Sequence, residues 1–227
     1  MSPSSAEQVE AFKALLRKLM KGYQFDVMGL WMMDGTRRPL PKESSVVGKV
    51  LELSVKEYLF AKLMRVPNLH FADGGERSYP DLTFHGDALD GQRFAVDVKC
   101  TRRDKTGKRT ESRIAIATFD ADYFRYPEVK AANIMAPYGS YGAHLALIAA
   151  YDYDGATAKD VEIVVAEKWR IATRQKASGT RCYVAASSTL ADLRAERGEF
   201  SSEAEFQDYW RAQPIGPKKS TPLPAVI

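Results

Sequence analysis

Asp81, Asp97 and Lys99 are set into two segments, SYPDLTF (78–84) and FAVDVKCT (94–101), that otherwise read as buried strands. Two carboxylates brought close repel one another unless a divalent cation sits between them, and oxygen donors at a partly open site suit Mg²⁺. A lysine beside them can orient a water and offset charge in a transition state. Hydrolysis of a phosphodiester needs these parts: a metal to polarise the phosphoryl oxygen and acidify water, and a cation to meet the developing charge. Asp97 and Lys99 form an acid-x-Lys tripeptide, and a second one, EVK at 128–130, occurs in the same chain. Context separates them. Val96 and Val98 flank Asp97 in a strand pattern and Pro80-Asp81 heads the strand before it, whereas no such frame surrounds Lys130. Read alone, Asp97 and Lys99 are a surface ion pair and Asp81 caps a turn.

Pleat alternation positions the three groups. If the two strands pair as a hairpin, Leu82, Phe84, Phe94, Val96 and Val98 share one buried face, and Asp81, Asp97 and Lys99 share the other. A register that sets Asp81 across from Asp97 or Lys99 satisfies both faces at once. Glu52 stands on the shoulder of a helical stripe of Val47, Leu51, Val55 and Leu59. By itself it belongs to a solvated helix face. A helix packed across the hairpin would bring it to the metal as a further ligand or outer acceptor.

The remaining elements follow from periodicity. Residues 5–21 read as an amphipathic helix with Val9, Phe12, Leu15, Leu16 and Leu19 on one face, stopped at Gly22. YQFDVMGLWMM reads as a strand and Asp34-Gly35 as a hairpin turn. Ser44 or Ser45 is the expected cap of the helix carrying Glu52, and Pro67 closes it. Strands are expected at about 80–86 and 93–101, then in ESRIAIATF, HLALIAAY, VEIVVA and CYVAA. SSEAEFQDYW carries a capping box, Ser202 with Glu205, before an apolar face of Phe206, Tyr209 and Trp210. These elements describe one domain over 1–213 and a Pro-rich tail over 214–227.

The 227 residues are 45% hydrophobic and 27% charged, which suits a globular domain. No apolar run is long enough for a membrane span, and the first residues lack the pattern of a signal peptide, so a cytoplasmic protein is expected. Two cysteines and three histidines exclude a disulfide framework and a zinc cluster. A net charge of +4 mildly favours a polyanionic partner. Basic residues crowd KCTRRDKTGKRTESR, where Thr101, Arg102 and Arg103 follow the proposed site as a phosphate clamp. As a plain reading this run is a soluble loop. A second basic segment, RQKASGTRCYV, offers Ser178, Gly179, Thr180 and Arg181 as a groove-reading loop, arginine being able to contact guanine through two hydrogen bonds. Its plain reading is a turn before a strand.

The chain resembles the EcoRV-type family of type II restriction endonucleases, within the PD-(D/E)xK nuclease superfamily. The likeness runs almost collinearly from about Tyr23 to Arg211 through FDVMG, VLELS, YPDLTF, FAVDVKCT, NIMAP, YGAHL, EKWRIA, ASGT and SSEAEFQDYWR. It implies an α/β (α+β) restriction-endonuclease-like core, a mixed central β-sheet flanked by helices. It also implies a Mg²⁺-dependent homodimer that cuts double-stranded DNA at a palindrome, leaving blunt ends with 5′-phosphates, alongside a cognate DNA methyltransferase. Carried over by motif, Asp81 and Asp97 become metal-binding acids, Lys99 the catalytic lysine, Glu52 an auxiliary acid and the Val98 carbonyl a metal ligand. GERSY, with Arg77 and Ser78, falls on a minor-groove loop, and ASGTRCY on the major-groove recognition loop. Ala177, Thr180 and Arg181 depart from the family's loop, so no target sequence is carried over. The stretch Arg102–Lys130 matches least well. Two other readings of the same residues are a PD-(D/E)xK nuclease of DNA repair or modification-dependent cleavage, and a non-catalytic DNA-binding module.

Overall fold

The strand that carries Asp97 has buried apolar residues on both faces, Phe94, Val96 and Val98 on one and Ala95 on the other, as in the middle of a covered sheet. The computed structural model describes residues 5–75 and 78–215. Among these the chain runs through α1 (Ser5–Leu19), β1 (Leu30–Trp31), β2 (Arg37–Arg38), α2 (Ser44–Leu63), β3 (His70–Asp73), β4 (Leu82–His85) and β5 (Phe94–Arg102). It continues with β6 (Ala115–Thr118), the single turn α3 (Asp122–Arg125), β7 (Ala143–Tyr153), β8 (Ala158–Glu167) and the turn α4 (Lys168–Ile171). Last come β9 (Ala172–Lys176), β10 (Tyr183–Ala186), α5 (Leu190–Ala195) and α6 (Glu203–Arg211). The expected tail falls almost wholly on residues 216–227, outside the described residues.

The central sheet has the order β3-β4-β5-β7-β8 and is mixed, because β5 and β7 run parallel while the other neighbours are antiparallel. A parallel pair needs a long crossover, which residues 103–142 supply. The strand expected in ESRIAIATF forms inside this crossover as β6 but does not join the sheet. Both edges of β5 are taken by β4 and β7, so β6 pairs with β10 in a second sheet ordered β6-β10-β9.

Two cores sandwich the central sheet. Phe12 and Leu16 of α1 and Val47, Leu51, Val55 and Leu59 of α2 pack on the face carrying Leu82, Phe84, Val96 and Leu147. Ile148 and Ala150, on the other face, meet Ile116, Val184, Phe206 and Trp210 from the second sheet and α6. Each such large side chain contributes about 1.5–3 kcal/mol when fully buried. Asp97 projects toward this second core and is 7% exposed.

Some local expectations shift. Of residues 23–33 only Leu30 and Trp31 are strand, although the Asp34-Gly35 turn forms, with the Asp34 carboxylate accepting from Thr36 N–H at 2.9 Å and Gly35 at φ 80°. Glu43, rather than Ser44 or Ser45, holds the cap position of α2 and makes no side-chain cap bond; the helix ends at Leu63, short of Pro67. In α6 the Ser202 hydroxyl accepts from Glu205 N–H at 3.1 Å, while the Glu205 carboxylate turns back to Ser201. Among the described residues no helix is long and apolar enough to cross a membrane.

Candidate active site

The β4–β5 ladder pairs Phe84 with Phe94, Thr83 with Ala95 and Leu82 with Val96, so one step further Asp81 stands opposite Asp97. There, side chains replace the ladder and satisfy the backbone. Asp81 N–H donates to Asp97 Oδ1 at 3.1 Å, and Val98 N–H donates to Asp81 Oδ2 at 2.8 Å. Lys99 Nζ lies 3.5 Å from Asp81 Oδ2 and 3.5 Å from Asp97 Oδ2. A second ammonium, that of Lys168, approaches Asp97 Oδ2 to 2.7 Å from the sheet's interior side.

The two carboxylates are shifted in opposite directions. Burial opposes ionisation of Asp97, but Lys168 and then Lys99 outweigh it and hold this carboxyl well below the usual range. At Asp81 burial prevails over Lys99, and repulsion from Asp97 adds to it, so its carboxyl is raised. Burial pulls the Lys99 ammonium down, yet Asp97 and Asp81 together push its pKa above that of a free lysine. Lys99 is therefore a cation and hydrogen-bond donor at neutral pH, unsuited to act as a base.

Asp81 and Lys99 form the wall between two clefts. One, of about 450 Å³, is also lined by Lys49, Glu52, Asp73 and Val98; the other, of about 540 Å³, by Ser78, Asp97, Tyr123, Asn133 and Tyr183. α2 delivers Glu52 to the first cleft, where its Oε1 accepts from Lys49 Nζ at 3.0 Å rather than touching the carboxylate pair. In an extended strand the amide and carbonyl of one residue point to the same edge. Since Val98 N–H reaches Asp81, the Val98 carbonyl faces that side too, beyond the end of β4. Two carboxylates and a carbonyl make a hard oxygen donor set that fits Mg²⁺. Another group of acids, Glu10, Glu167 and Glu196, lies apart from the Asp81–Asp97 pair. The Lys13 ammonium already sits among them, 2.5 Å from Glu196 and 2.7 Å from Glu10.

A family model described as restriction endonuclease EcoRV matches residues 21–222. The chain belongs to the EcoRV restriction endonuclease family. The type II restriction enzyme EcoRV of Escherichia coli is 22% identical over 209 residues, covering 83% of this chain and 82% of that protein. By family the chain is a type II restriction endonuclease, and its mixed sheet with flanking helices is the corresponding core.

In this EcoRV-family chain the other candidate residues fall in three places. Ser78 lines the larger cleft, whereas Arg77 lies outside the described residues. Thr101 is buried, and Arg102 and Arg103 are held away from the carboxylates. Arg102 bonds the Lys42 carbonyl and lies over the Tyr153 ring, and Arg103 bonds the Asp160 carbonyl at 2.8 Å and pairs with Asp152 and Glu162 at 3.3 Å each. Ser178, Gly179, Thr180 and Arg181 form the connection between β9 and β10, where Arg181 Nη1 donates to Tyr183 Oη at 3.2 Å. Tyr183, the first residue of β10, lines the larger cleft. Lys130 is exposed in the β5–β7 crossover and lines neither cleft.

Sequence reasoning missed Lys168, with Tyr79 and His144 behind it. A signal existed: Glu167 and Lys168 directly follow the apolar run Ile163 to Ala166, and both residues are buried. Buried charges of this kind are paired.

Proposed function

We propose that the chain is a Mg²⁺-dependent endonuclease that hydrolyses phosphodiester bonds of double-stranded DNA at a palindromic site, giving blunt ends with 5′-phosphates. The carrying observation is the ion cluster at the mouth of two clefts, with Lys99 Nζ 3.5 Å from both carboxylates. Asp81, Asp97 and the Val98 carbonyl hold the cation, and Glu52 approaches from α2. When bound, the metal supplies polarisation of a phosphoryl oxygen and acidification of water. Lys99 orients the attacking water and donates to the phosphoryl oxygens as negative charge grows on them. The Ser178–Arg181 loop reads bases in the major groove, and Arg77 with Ser78 approaches the minor groove. Thr101, Arg102 and Arg103 contact phosphate in this reading, although their present bonds must open for the arginines to do so.

The acting form is a homodimer, and twofold symmetry makes the target a palindrome. Its support is an exposed apolar hairpin: Met28, Trp31 and Met33 are 63%, 76% and 107% exposed, which is unusual for residues without a partner surface. The protein works in the cytoplasm, consistent with Cys100 and Cys182 not being joined in a disulfide, beside a methyltransferase that protects the same site.

The test is digestion of a large unmethylated phage DNA with Mg²⁺ or with EDTA, followed by sequencing of the fragment ends. Discrete Mg²⁺-dependent fragments sharing one palindromic blunt end are expected. A smear or nicks would point to repair or modification-dependent cleavage, and binding without any cut to a non-catalytic module. In sedimentation the particle should have twice the 25.3 kDa of one chain, and a monomer at working concentration would remove the dimer.

Arg181→Ala should lower discrimination between the cognate site and single-base variants by roughly 10- to 100-fold, the loss of about 1–3 kcal/mol of base readout, with affinity for random DNA nearly unchanged. Competition binding checks this, and uniform weakening across sequences would make Arg181 a phosphate contact.

A further inference from the structure

Lys168 is a buried cation that the reading above does not use. It begins α4 directly after β8, and its side chain is 2% exposed. Its Nζ lies 2.7 Å from Asp97 Oδ2, 3.4 Å from Tyr79 Oη and 4.6 Å from the centre of the Tyr79 ring. Behind it, Tyr79 Oη is 2.6 Å from His144 Nδ1, and the His144 ring stacks on Tyr138 at 3.6 Å. Lys168 can only donate, so Tyr79 accepts from it, and the Tyr79 hydroxyl shares a second hydrogen bond with His144 Nδ1. This chain of bonds fixes the ammonium, and the ammonium fixes one oxygen of Asp97.

The charges around the site are matched. Asp81 and Asp97 face the ammoniums of Lys99 and Lys168, and on the α2 side Glu52 is paired with Lys49 and Asp73 with Lys56. A divalent cation entering the DNA-free protein therefore meets little net negative charge. DNA phosphate changes this balance.

We propose that Lys168 is a positioning residue that orients Asp97 and cancels one carboxylate charge in the DNA-free protein, so that a divalent cation is retained only together with a DNA phosphate. This rests on the metal-dependent reading of the site. Removing Lys168 has two opposed effects. Asp97 loses its anchor, and loss of such an outer partner usually costs about 10- to 100-fold in metal affinity or activity. A like charge also disappears from the metal's immediate surroundings, and in a partly buried site that repulsion is the larger effect on binding.

Lys168→Met should therefore bind Mn²⁺ roughly 10-fold more tightly than wild type in the absence of DNA, read by electron paramagnetic resonance of free Mn²⁺. Its maximal cleavage rate should fall roughly 10- to 100-fold. Lys168→Arg, which keeps the charge, should bind Mn²⁺ within about twofold of wild type and recover part of the rate. A residue needed only for packing would not tighten metal binding. Mn²⁺ affinity in Lys168→Met equal to or weaker than that of wild type overturns the proposal. Lys168→Gln, which can still bond both Asp97 and Tyr79, carries the same test if Lys168→Met does not fold; failure of both to fold shows a structural role and also overturns it. Absence of any Mg²⁺-dependent cleavage by wild type would defeat the nuclease reading, yet the Mn²⁺ comparison would still report on Lys168.

Discussion

Asp97→Asn should abolish DNA cleavage, with a loss on the order of 10³-fold or more, corresponding to about 4 kcal/mol of transition-state stabilisation. The asparagine keeps the shape of the side chain but offers one acceptor oxygen where the carboxylate offers two, so it can accept from Lys168 or from Asp81 N–H but not from both in this geometry, and it withdraws the charge that holds a cation between the two acids. Asp97→Ala should be equally inactive and also less stable. It leaves the Lys168 ammonium buried with no acceptor at residue 97, where asparagine can still turn its oxygen toward it, and orphaning one partner of a buried ion pair costs about 3–5 kcal/mol. Cleavage assays and thermal denaturation on the two variants separate these effects. Cleavage near the wild-type rate by Asp97→Asn would take Asp97 out of the chemistry, and equal stability of the two variants would mean that Lys168 finds another partner.

Lys99→Ala should lower the maximal rate by on the order of 10²- to 10³-fold, the scale of losing one preorganised donor to a developing anion. Lys99 is half-buried and touches both carboxylates across 3.5 Å, so its removal also relaxes their spacing. Folding should be little affected because Lys168 still balances Asp97. The contrast is Lys130→Ala, which should cleave within about twofold of wild type, since Lys130 is exposed and lines neither cleft. Single-turnover cleavage at saturating Mg²⁺ measures both variants. The reverse ranking would show that EVK, not DVK, belongs to the site.

Much of the site was legible because its positioning is local. Alternation in LTF and FAV restricts the register of β4 on β5, since a slip of one residue would turn Phe84 and Val96 out of the core; it leaves Asp81 opposite Asp97 or Lys99, and the folded ladder sets it opposite Asp97. The stripe of α2 is similarly self-evident, since Val47, Leu51, Val55 and Leu59 recur at helical spacing and all are buried. Glu52, one position beyond Leu51, is carried to the cleft with them.

Tertiary structure decided what depends on distant partners. β6 has the pattern of a sheet strand, but occupation of both edges of β5 sends it to β10, and no property of residues 115–118 encodes that. The resulting second layer buries Asp97, which local alternation alone places on an open face. Arg102 and Arg103 read as a free basic patch until the carbonyls and acids around them are seen to hold both side chains. Lys168 is 71 residues from Asp97 in the chain, and only the folded sheet brings the two within 2.7 Å. Periodicity reports which face of an element is buried; which charge meets which inside that burial is settled by the global packing, because a desolvated ammonium is tolerated only where a carboxylate from elsewhere in the chain arrives to meet it.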